Sequence, residues 1–226
     1  MEPGIILRYK VSSIDDVQIL NRDSKNGTVI LDTLNFDGEQ ITGTGIRCLC
    51  DALRNNTTLS TLYLRENHIG DNEIKSFCEA LKNNTTLTSL HLGDNSIQNS
   101  GIQYLIDMLR NKPLVILDLR NNHFAAEGVR YLADLLRNST TLTTLNVAKN
   151  NLGLQGIQYL VDALRINKTL MNLYLEDNHI DDRGANYLAD MLRNNTTLIT
   201  LDLKNNDITT QGVDRLAEAL QTNTVL

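Results

Sequence analysis

The sequence has few cysteines, no long hydrophobic run and no leader-like start. Its three cysteines are an odd number, which does not suit a disulfide framework. No apolar segment is long enough to cross a bilayer, and the first residues contain Glu2 but no basic cluster. These absences predict a protein without a signal peptide that works in a reducing, cytoplasmic compartment.

The sequence also lacks a long run of charge of one sign. Its 21 Lys and Arg against 27 Asp and Glu give a net charge of −6, spread along the chain. A general nucleic-acid binder would show a basic stripe, and an anionic membrane surface would attract the same feature. We therefore expect neither nucleic acid nor a membrane as a partner.

What the sequence does contain is one unit repeated seven times. The block LSTLYLRENHI from Leu59 returns as LTSLHLGDNSI from Leu87 and as LMNLYLEDNHI from Leu170. The spacing is 28 residues, except for 27 between Leu87 and Leu114, where Lys112-Pro113 replaces the usual Asn-Thr-Thr. The units begin near residues 31, 59, 87, 114, 142, 170 and 198, and the first copy is degenerate.

Each unit combines two periodicities. The LxxLxL segment alternates apolar and other residues, which predicts a short strand with one buried face. The following segment, such as GIQYLVDAL at 156–164, has apolar residues at i, i+3, i+4 and i+7, which predicts a helix. An asparagine after each strand is expected to bond backbone groups that the sheet leaves unpaired: Asn67, Asn95, Asn122, Asn150, Asn178 and Asn206, with Glu39 in the first unit.

The links between helix and strand repeatedly read Asn-Asn-Thr-Thr, as at 55–58 and 194–197. They contain the Asn-x-Thr acceptor pattern for N-glycosylation, but we predict an architectural role instead. A cation such as Arg54 or Lys82 ends the helix. The first asparagine is expected to take the left-handed conformation that stops a helix, and the threonines lead into the strand.

The pattern resembles the leucine-rich repeats of the ribonuclease-inhibitor type, which also occur in the tails of intracellular immune receptors and in the activator of the GTPase Ran. The matching residues are the LxxLxLxxNxI blocks and the glycines before the helices: Gly101, Gly128, Gly156, Gly184 and Gly212. The resemblance covers residues 31–226. It implies an α/β solenoid, a horseshoe of βα repeats with a concave parallel sheet and convex helices.

The two ends of the chain depart from the repeat. Residues 1–30 do not fit it, and Ser13 opens a short segment with helical character, so we predict an N-terminal cap over this region. The sequence stops at Leu226, the first leucine of an eighth unit. We therefore expect that it is cut from a longer protein.

The strand positions between the leucines are predicted to face the concavity, because side chains alternate along a strand. Their chemistry varies from unit to unit while the core positions stay leucine, so the fold does not dictate them. Tyrosine and arginine are favoured at interaction hot spots. The predicted protein-binding residues are Tyr63, Arg65, Glu66, His91, Asp118, Arg120, Asn146, Lys149, Tyr174, Glu176, Asp202 and Lys204.

These features predict a non-enzymatic module that binds a folded protein through its concave face, without cofactor or metal and as a monomer on its own. Resemblance to ribonuclease inhibitor implies one version, in which the module occludes the active site of another enzyme. Three alternatives stay open: an effector that an intracellular bacterium delivers into host cytosol, a sensor region of a larger receptor, and a GTPase activator resembling that of Ran.

Two constellations of reactive side chains have simpler interpretations. Ser89, His91 and Asp118 form a hydrolase triad on paper, but backbones at i and i+2 on a strand lie about 6–7 Å apart and the concavity is open to water. His68, His123 and His179 recur in alternate units, about 10 Å apart, which is too far for one zinc ion. We predict partner contact for the first set and a loop-surface position for the second.

The cysteines and the helix tyrosines are predicted to pack. Cys50 and Cys78 share a repeat position that small apolar residues fill elsewhere, which predicts a core slot rather than a reactive thiol. A row of tyrosines in consecutive helices is expected to form a packing ladder on the outer layer: Tyr104, Tyr131, Tyr159 and Tyr187.

Overall fold

The structure, a computed structural model, describes residues 32–41, 43–54 and 56–226. Seven strands alternate there with seven helices. The strands are β1 Thr33–Asn35, β2 Thr61–Tyr63, β3 Ser89–His91, β4 Ile116–Asp118, β5 Thr144–Asn146, β6 Asn172–Tyr174 and β7 Thr200–Asp202. The helices are α1 Gly43–Leu53, α2 Asp71–Leu81, α3 Asn99–Leu109, α4 Ala126–Asn138, α5 Gly153–Leu164, α6 Asp182–Leu192 and α7 Thr210–Leu220. The predicted cap over residues 1–30 lies outside the described residues.

The strands form a single parallel sheet in chain order, β1 to β7. Equivalent repeat positions stand opposite each other, so that Leu62 pairs with Leu90 and Leu90 with Leu117. Among the described elements, helix–helix contacts join only helices that are neighbours along the chain. This is the predicted βα solenoid. Because parallel strands pack about 4.8 Å apart and helices about 8–10 Å apart, the stack must curve with the sheet inside.

The leucines of each LxxLxL block fill the space between sheet and helices. Leu62, Leu90 and Leu117 have no exposed surface, and in the helical layer Ile157 and Leu160 have none either. Burying one such side chain stabilises the fold by about 1.5–3 kcal/mol. The core thins at the last unit, where Leu201 and its neighbours are only partly buried.

The asparagine after each strand forms a continuous series, which we name the strand-end ladder: Asn67, Asn95, Asn122, Asn150, Asn178 and Asn206. Asn122 is representative. Its Nδ2 donates to carbonyls of Leu92 in the preceding unit and Leu119 in its own, and its Oδ1 accepts the N–H of Ile97. The predicted role is confirmed. The residue before each asparagine has a positive φ, 48° at Asn121, which turns the chain sharply out of the strand.

The prediction for the Asn-Asn links was wrong about which asparagine matters. Neither Asn83 nor Asn194 is among the described residues with a positive φ, and Arg193 ends α6 with a right-handed φ of −56°. The second asparagine is buried instead. The Oδ1 atom of Asn195 accepts the N–H groups of Thr197 and Leu198, and its Nδ2 donates to the Leu164 carbonyl of the preceding unit.

This second position recurs in every unit, and we name it the helix-end ladder: Asn56, Asn84, Lys112, Ser139, Asn167, Asn195 and Asn223. The asparagines of four units and Lys112 donate from this position to carbonyls of the preceding unit, because terminal helix carbonyls have no partner within their own helix. The architectural role of the link is confirmed. Asn84 is 2% exposed and Asn195 is 5% exposed, so the folded chain presents neither amide to a glycan.

The cysteines pack as predicted. Cys50 and Cys78 are buried and free, and Cys48 is free and half-buried. Burial is the largest influence on both buried thiols, and it raises the pKa of Cys50 to about 11 and that of Cys78 to about 12. Such thiols stay protonated and unreactive near neutral pH.

The outer layer carries the tyrosine row. Tyr131, Tyr159 and Tyr187 pack against the core with part of each ring exposed, whereas a ladder of contacts between the tyrosines stays a prediction. Tyr104 is more open, and the Lys75 ammonium lies 5.5 Å from its ring centroid. In the part of the chain that the structure describes, no helix is both long and apolar enough to span a bilayer.

Candidate functional site

Strand register aligns the predicted binding residues into columns on one face of the sheet. Tyr63 pairs with His91, which pairs with Asp118, and the column continues through Asn146 and Tyr174. We name it the first concave column; Asn35 begins it and Asp202 completes it. Two residues further on lies the second concave column: Asp37, Arg65, Gly93, Arg120, Ala148, Glu176 and Lys204. The third concave column follows directly: Glu66, Asp94, Asn121, Lys149, Asp177 and Asn205.

An aromatic and imidazole cluster occupies strands β2 and β3. The rings of Tyr63 and His91 stack with centroids 4.4 Å apart and planes 14° from parallel. The Ser89 hydroxyl lies 2.9 Å from the His91 Nε2 atom on the same strand. Backbone spacing alone had led us to expect these two side chains to stay apart. That expectation was wrong, because the imidazole folds back along its own strand.

Asp118 completes this cluster from the next strand. Its Oδ2 atom lies 3.9 Å from His91 Nδ1 and 3.7 Å from Arg65 Nε, and its Oδ1 accepts the Arg120 N–H at 3.1 Å. Burial acts to raise the pKa of Asp118. The His91 ring, the Arg120 N–H and the Arg65 charge outweigh it, so the net pKa is lowered. The carboxylate is therefore ionised at neutral pH.

Arg65 reaches Asp118 by crossing Gly93 of the intervening unit. A Cβ atom at Gly93 would lie 3.3 Å from Arg65 Nε, so glycine leaves room for the guanidinium. The Arg65 Nη2 atom also lies 3.7 Å from Asp94. Its Nε is buried without a hydrogen-bond partner, the one such side-chain atom in the described chain. The cluster is close to fully paired but retains one unsatisfied donor.

A second cluster spans strands β4 to β7. Arg120 Nη1 donates to Glu176 Oε2 at 2.7 Å, and the two residues belong to units that are not adjacent. Ala148 between them is small and buried, so the arginine passes over it. The hydrogen bond with Arg120 lowers the pKa of Glu176, and the nearby charges of Lys204 and Lys149 act in the same direction.

The polar members of the first concave column have a structural task that sequence reasoning missed. Asp118, Asn146 and Asp202 each accept the N–H of the residue two positions later, at 2.9–3.1 Å. Such Asx contacts shape the end of a strand. The signal was present, because Asn or Asp recurs in this column. Tyr63 and Tyr174 lack such an acceptor, so their exposed surface is left for other contacts.

The Ser89, His91 and Asp118 group lacks features that acyl transfer needs. The Ser89 N–H donates to the Ser60 carbonyl at 3.0 Å inside the sheet, so it cannot stabilise an oxyanion. The 3.9 Å between His91 and Asp118 exceeds a hydrogen bond. This geometry suits a contact surface better than a catalytic triad, and the lack of enzymatic activity stays a prediction.

His68, His123 and His179 are exposed on loops, as predicted. His179 Nδ1 lies 3.4 Å from the Asp207 carboxylate. Within residues 32–41, 43–54 and 56–226, no group of three or more His, Cys, Asp or Glu side chains is arranged to hold a metal ion.

Comparison with known families identifies the repeat. The Leucine Rich repeat family matches residues 55–78, 83–105, 110–133, 138–161, 167–189 and 194–217, together more than half of the chain. The protein belongs to this leucine-rich-repeat family. No curated protein sequence matches the chain. Repeats of this family generally serve as protein-interaction modules.

Solved structures confirm the fold. The tropomodulin C-terminal domain of Caenorhabditis elegans is 17% identical over 79% of this chain and 92% of its own, with a TM-score of 0.53. An internalin from Listeria monocytogenes is 22% identical over 91% of this chain, with a TM-score of 0.55, and the match spans 56% of that internalin. The second actin-binding site of leiomodin-1 is 18% identical over 91% and 87%, but its TM-score of 0.33 carries no argument. The ribonuclease-inhibitor subtype stays a prediction.

Proposed function

We propose that this leucine-rich-repeat protein acts as a non-enzymatic module that grips a folded protein in its concave face. The observation that carries the proposal is the contrast between columns. Leucines occupy the core positions of every strand, whereas the concave positions hold tyrosine, histidine, arginine and acidic residues. Seven strands about 4.8 Å apart offer a face about 30 Å long, enough for about 800 Å² of contact per partner.

The pairing of side chains on this face supports the proposal. Tyr63 is held by stacking on His91, and Arg120 by its 2.7 Å bond to Glu176. Side chains that are already ordered lose less conformational entropy when a partner binds. Binding therefore requires little further loss of side-chain entropy at these positions.

Carboxylates outnumber cations along the concavity, which supports a partner that presents a basic surface. The first four units present Arg65 and Arg120 against four carboxylates: Asp37, Glu66, Asp94 and Asp118. The last three units present Lys149 and Lys204 against three carboxylates: Glu176, Asp177 and Asp202. A partner with a basic segment facing β1–β4, where the excess of carboxylates is larger, fits this distribution, because complementary potentials fix register.

The test is a quantitative pull-down from cytosolic lysate with mass spectrometry. The wild-type chain is compared with a Tyr63→Asp/Tyr174→Asp variant of equal thermal stability, because both tyrosines lie on the concave face without an Asx contact. The matched control is Tyr104→Asp on the convex layer, where the tyrosine is 38% exposed. We expect one protein to be captured by the wild type and by the control and lost in the double variant.

Capture that survives the double variant and disappears in the convex control would place the interface on the helices and sink the proposal. The finer roles stay predictions: inhibition of an enzyme, delivery as an effector, a receptor sensor region, and activation of a GTPase like Ran. No contact in the structure favours one of them over the others. Stimulated GTP hydrolysis by the captured partner would single out the last.

We also propose a cytoplasmic location. It is supported by the three cysteines, all free, of which two are buried with raised pKa values. Imaging of the tagged full chain tests it, and fluorescence confined to a secretory compartment would contradict it.

A further inference from the structure

The helix-end ladder is interrupted at one unit. Four of its asparagines donate from Nδ2 to a carbonyl of the preceding unit: Asn84, Asn167, Asn195 and Asn223. Their side chains fill the space between consecutive helix ends. Two other units carry Lys112 and Ser139 at the same position, and they depart from this rule.

Lys112 replaces the amide with an ammonium group. Its Nζ donates to the Leu81 carbonyl at 2.9 Å, to the Lys82 carbonyl at 3.4 Å and to the Asn84 carbonyl. These are terminal carbonyls of α2 and its link, which lack partners within the helix. Burial lowers the pKa of Lys112, as expected for an ammonium that has left bulk water. The chain itself thus shows that a primary alkylammonium fits this edge.

Ser139 leaves the equivalent place between α3 and α4 unfilled. Its hydroxyl accepts the N–H groups of Thr141 and Leu142, at 3.3 and 3.0 Å, and is too short to reach the preceding unit. Among the described residues, the Leu109 carbonyl accepts from outside its helix only the Lys112 backbone N–H, whereas the equivalent Leu81 carbonyl also receives the ammonium.

A cavity of about 370 Å³ opens where the missing side chain would lie. The ends of α3 and α4 and the links that follow them form its wall, which includes Leu109, Arg110, Lys112, Ser139 and Leu142. Two helix C-termini point their partial negative charge towards this region. The two cations in this wall are already paired elsewhere, Arg110 with Asp107 at 3.1 Å and the Lys112 ammonium with the carbonyls of the preceding unit.

We propose that this cavity is a binding site for a primary alkylammonium group, which takes the place that Lys112 occupies one unit earlier. The acceptors are the carbonyls of Leu109, Arg110 and Lys112, the counterparts of those that hold the Lys112 ammonium. The group belongs to a lysine side chain of a partner or to a free polyamine. The site lies at the edge where β4 and β5 begin, so it does not depend on recognition by the concave face.

The first experiment titrates the full chain with n-butylammonium and follows backbone amide and carbonyl chemical shifts by NMR. We expect saturable shifts confined to residues 109–114 and 139–142. The matched probe is n-butyltrimethylammonium, which has the same charge but no N–H donor, and we expect it to bind at least tenfold more weakly. Equal responses to both probes would reduce the effect to nonspecific charge attraction and overturn the site.

The second experiment closes the cavity with Ser139→Asn, which restores the residue of the regular units. We expect the saturable shifts to disappear, whereas Thr196→Asn, at the equivalent exposed position of a regular link outside the cavity, should leave them unchanged. Undiminished binding to Ser139→Asn would refute the proposal. Titration with N-acetyl-lysine methylamide and with spermidine distinguishes the two sources, since the one that binds more tightly identifies the ligand. Binding of neither would also refute the proposal.

Discussion

At both edges of the solenoid, side chains pair backbone groups of adjacent units, but the two edges differ in how much the residue type varies. At the strand-end ladder, asparagine recurs without interruption from Asn67 to Asn206. Each amide must donate to carbonyls of two units and also accept a backbone N–H, as Asn122 does, and only an amide meets both demands. At the helix-end ladder the inter-unit contact needs a donor alone, so lysine replaces asparagine and serine omits the contact. The residue type therefore varies less at the ladder where one side chain must make more hydrogen bonds between units.

Loss of a strand-end amide should have the largest effect. Asn122→Ala leaves the Ile97 N–H and several carbonyls unpaired in a site that is 3% exposed. We expect a loss of about 3 kcal/mol in the free energy of unfolding, measured by urea denaturation. Asn151→Ala is the matched control, because that asparagine is exposed. A loss at Asn122 no larger than at Asn151 would contradict the structural role of the ladder.

Loss of a helix-end amide should cost less. Asn195→Ala removes two bonds to the N–H groups of Thr197 and Leu198 and one to the Leu164 carbonyl. We expect a loss of about 2 kcal/mol by the same measurement. The adjacent Asn194 is exposed and makes a matched control, whose replacement by alanine should change little. Equal effects at both positions would restore the first asparagine to the role that the sequence pattern had given it.

The ammonium at Lys112 should contribute less again, because its side chain is partly exposed. Lys112→Met keeps the apolar stem and removes the donors to the Leu81 and Asn84 carbonyls. We expect a loss of about 1 kcal/mol, below the range for fully buried charged hydrogen bonds. Lys168→Met at an exposed position of a regular link is the control. A neutral result at Lys112 would show that its carbonyls find water equally well.

The fold of the described residues could be predicted almost completely, because the same local pattern recurs in seven units. Alternating leucines and the helical stripe each specify one element, and Leu62 and Ile157 fell where their periodicity placed them. The conformation of the Asn-Asn link could not be predicted. Asparagine is typical both of a left-handed helix end and of a side chain that bonds to an adjacent unit, so the residue type does not distinguish the two. The outcome depends on which carbonyls of the adjacent unit lie within reach.

The candidate site was predictable by position but not by contact. Alternation along the strands was enough to put Tyr63, Arg65 and Asp118 on one face. The reach of Arg120 over Ala148 to Glu176 depends on side-chain length and on a gap two units wide, which no local pattern encodes. The orientation of the His91 imidazole towards Ser89 could not be predicted either, because a rotamer depends on the neighbouring side chains and not on residue spacing.

Restoring asparagine at position 139 of the helix-end ladder should give the smallest change in stability and the only increase. Ser139→Asn places an amide where Asn84 and Asn195 have one, within reach of the Leu109 carbonyl that lacks a side-chain donor. We expect the free energy of unfolding to rise by about 0.5–1 kcal/mol, since one neutral hydrogen bond is added and part of the cavity is filled. Ser139→Ala separates the causes, because it removes the bonds to Thr141 and Leu142 and should lower stability. If Ser139→Asn proved destabilising, the shorter link at Lys112-Pro113 would have shifted the carbonyl out of register, and the two edges would differ in geometry as well as in tolerance.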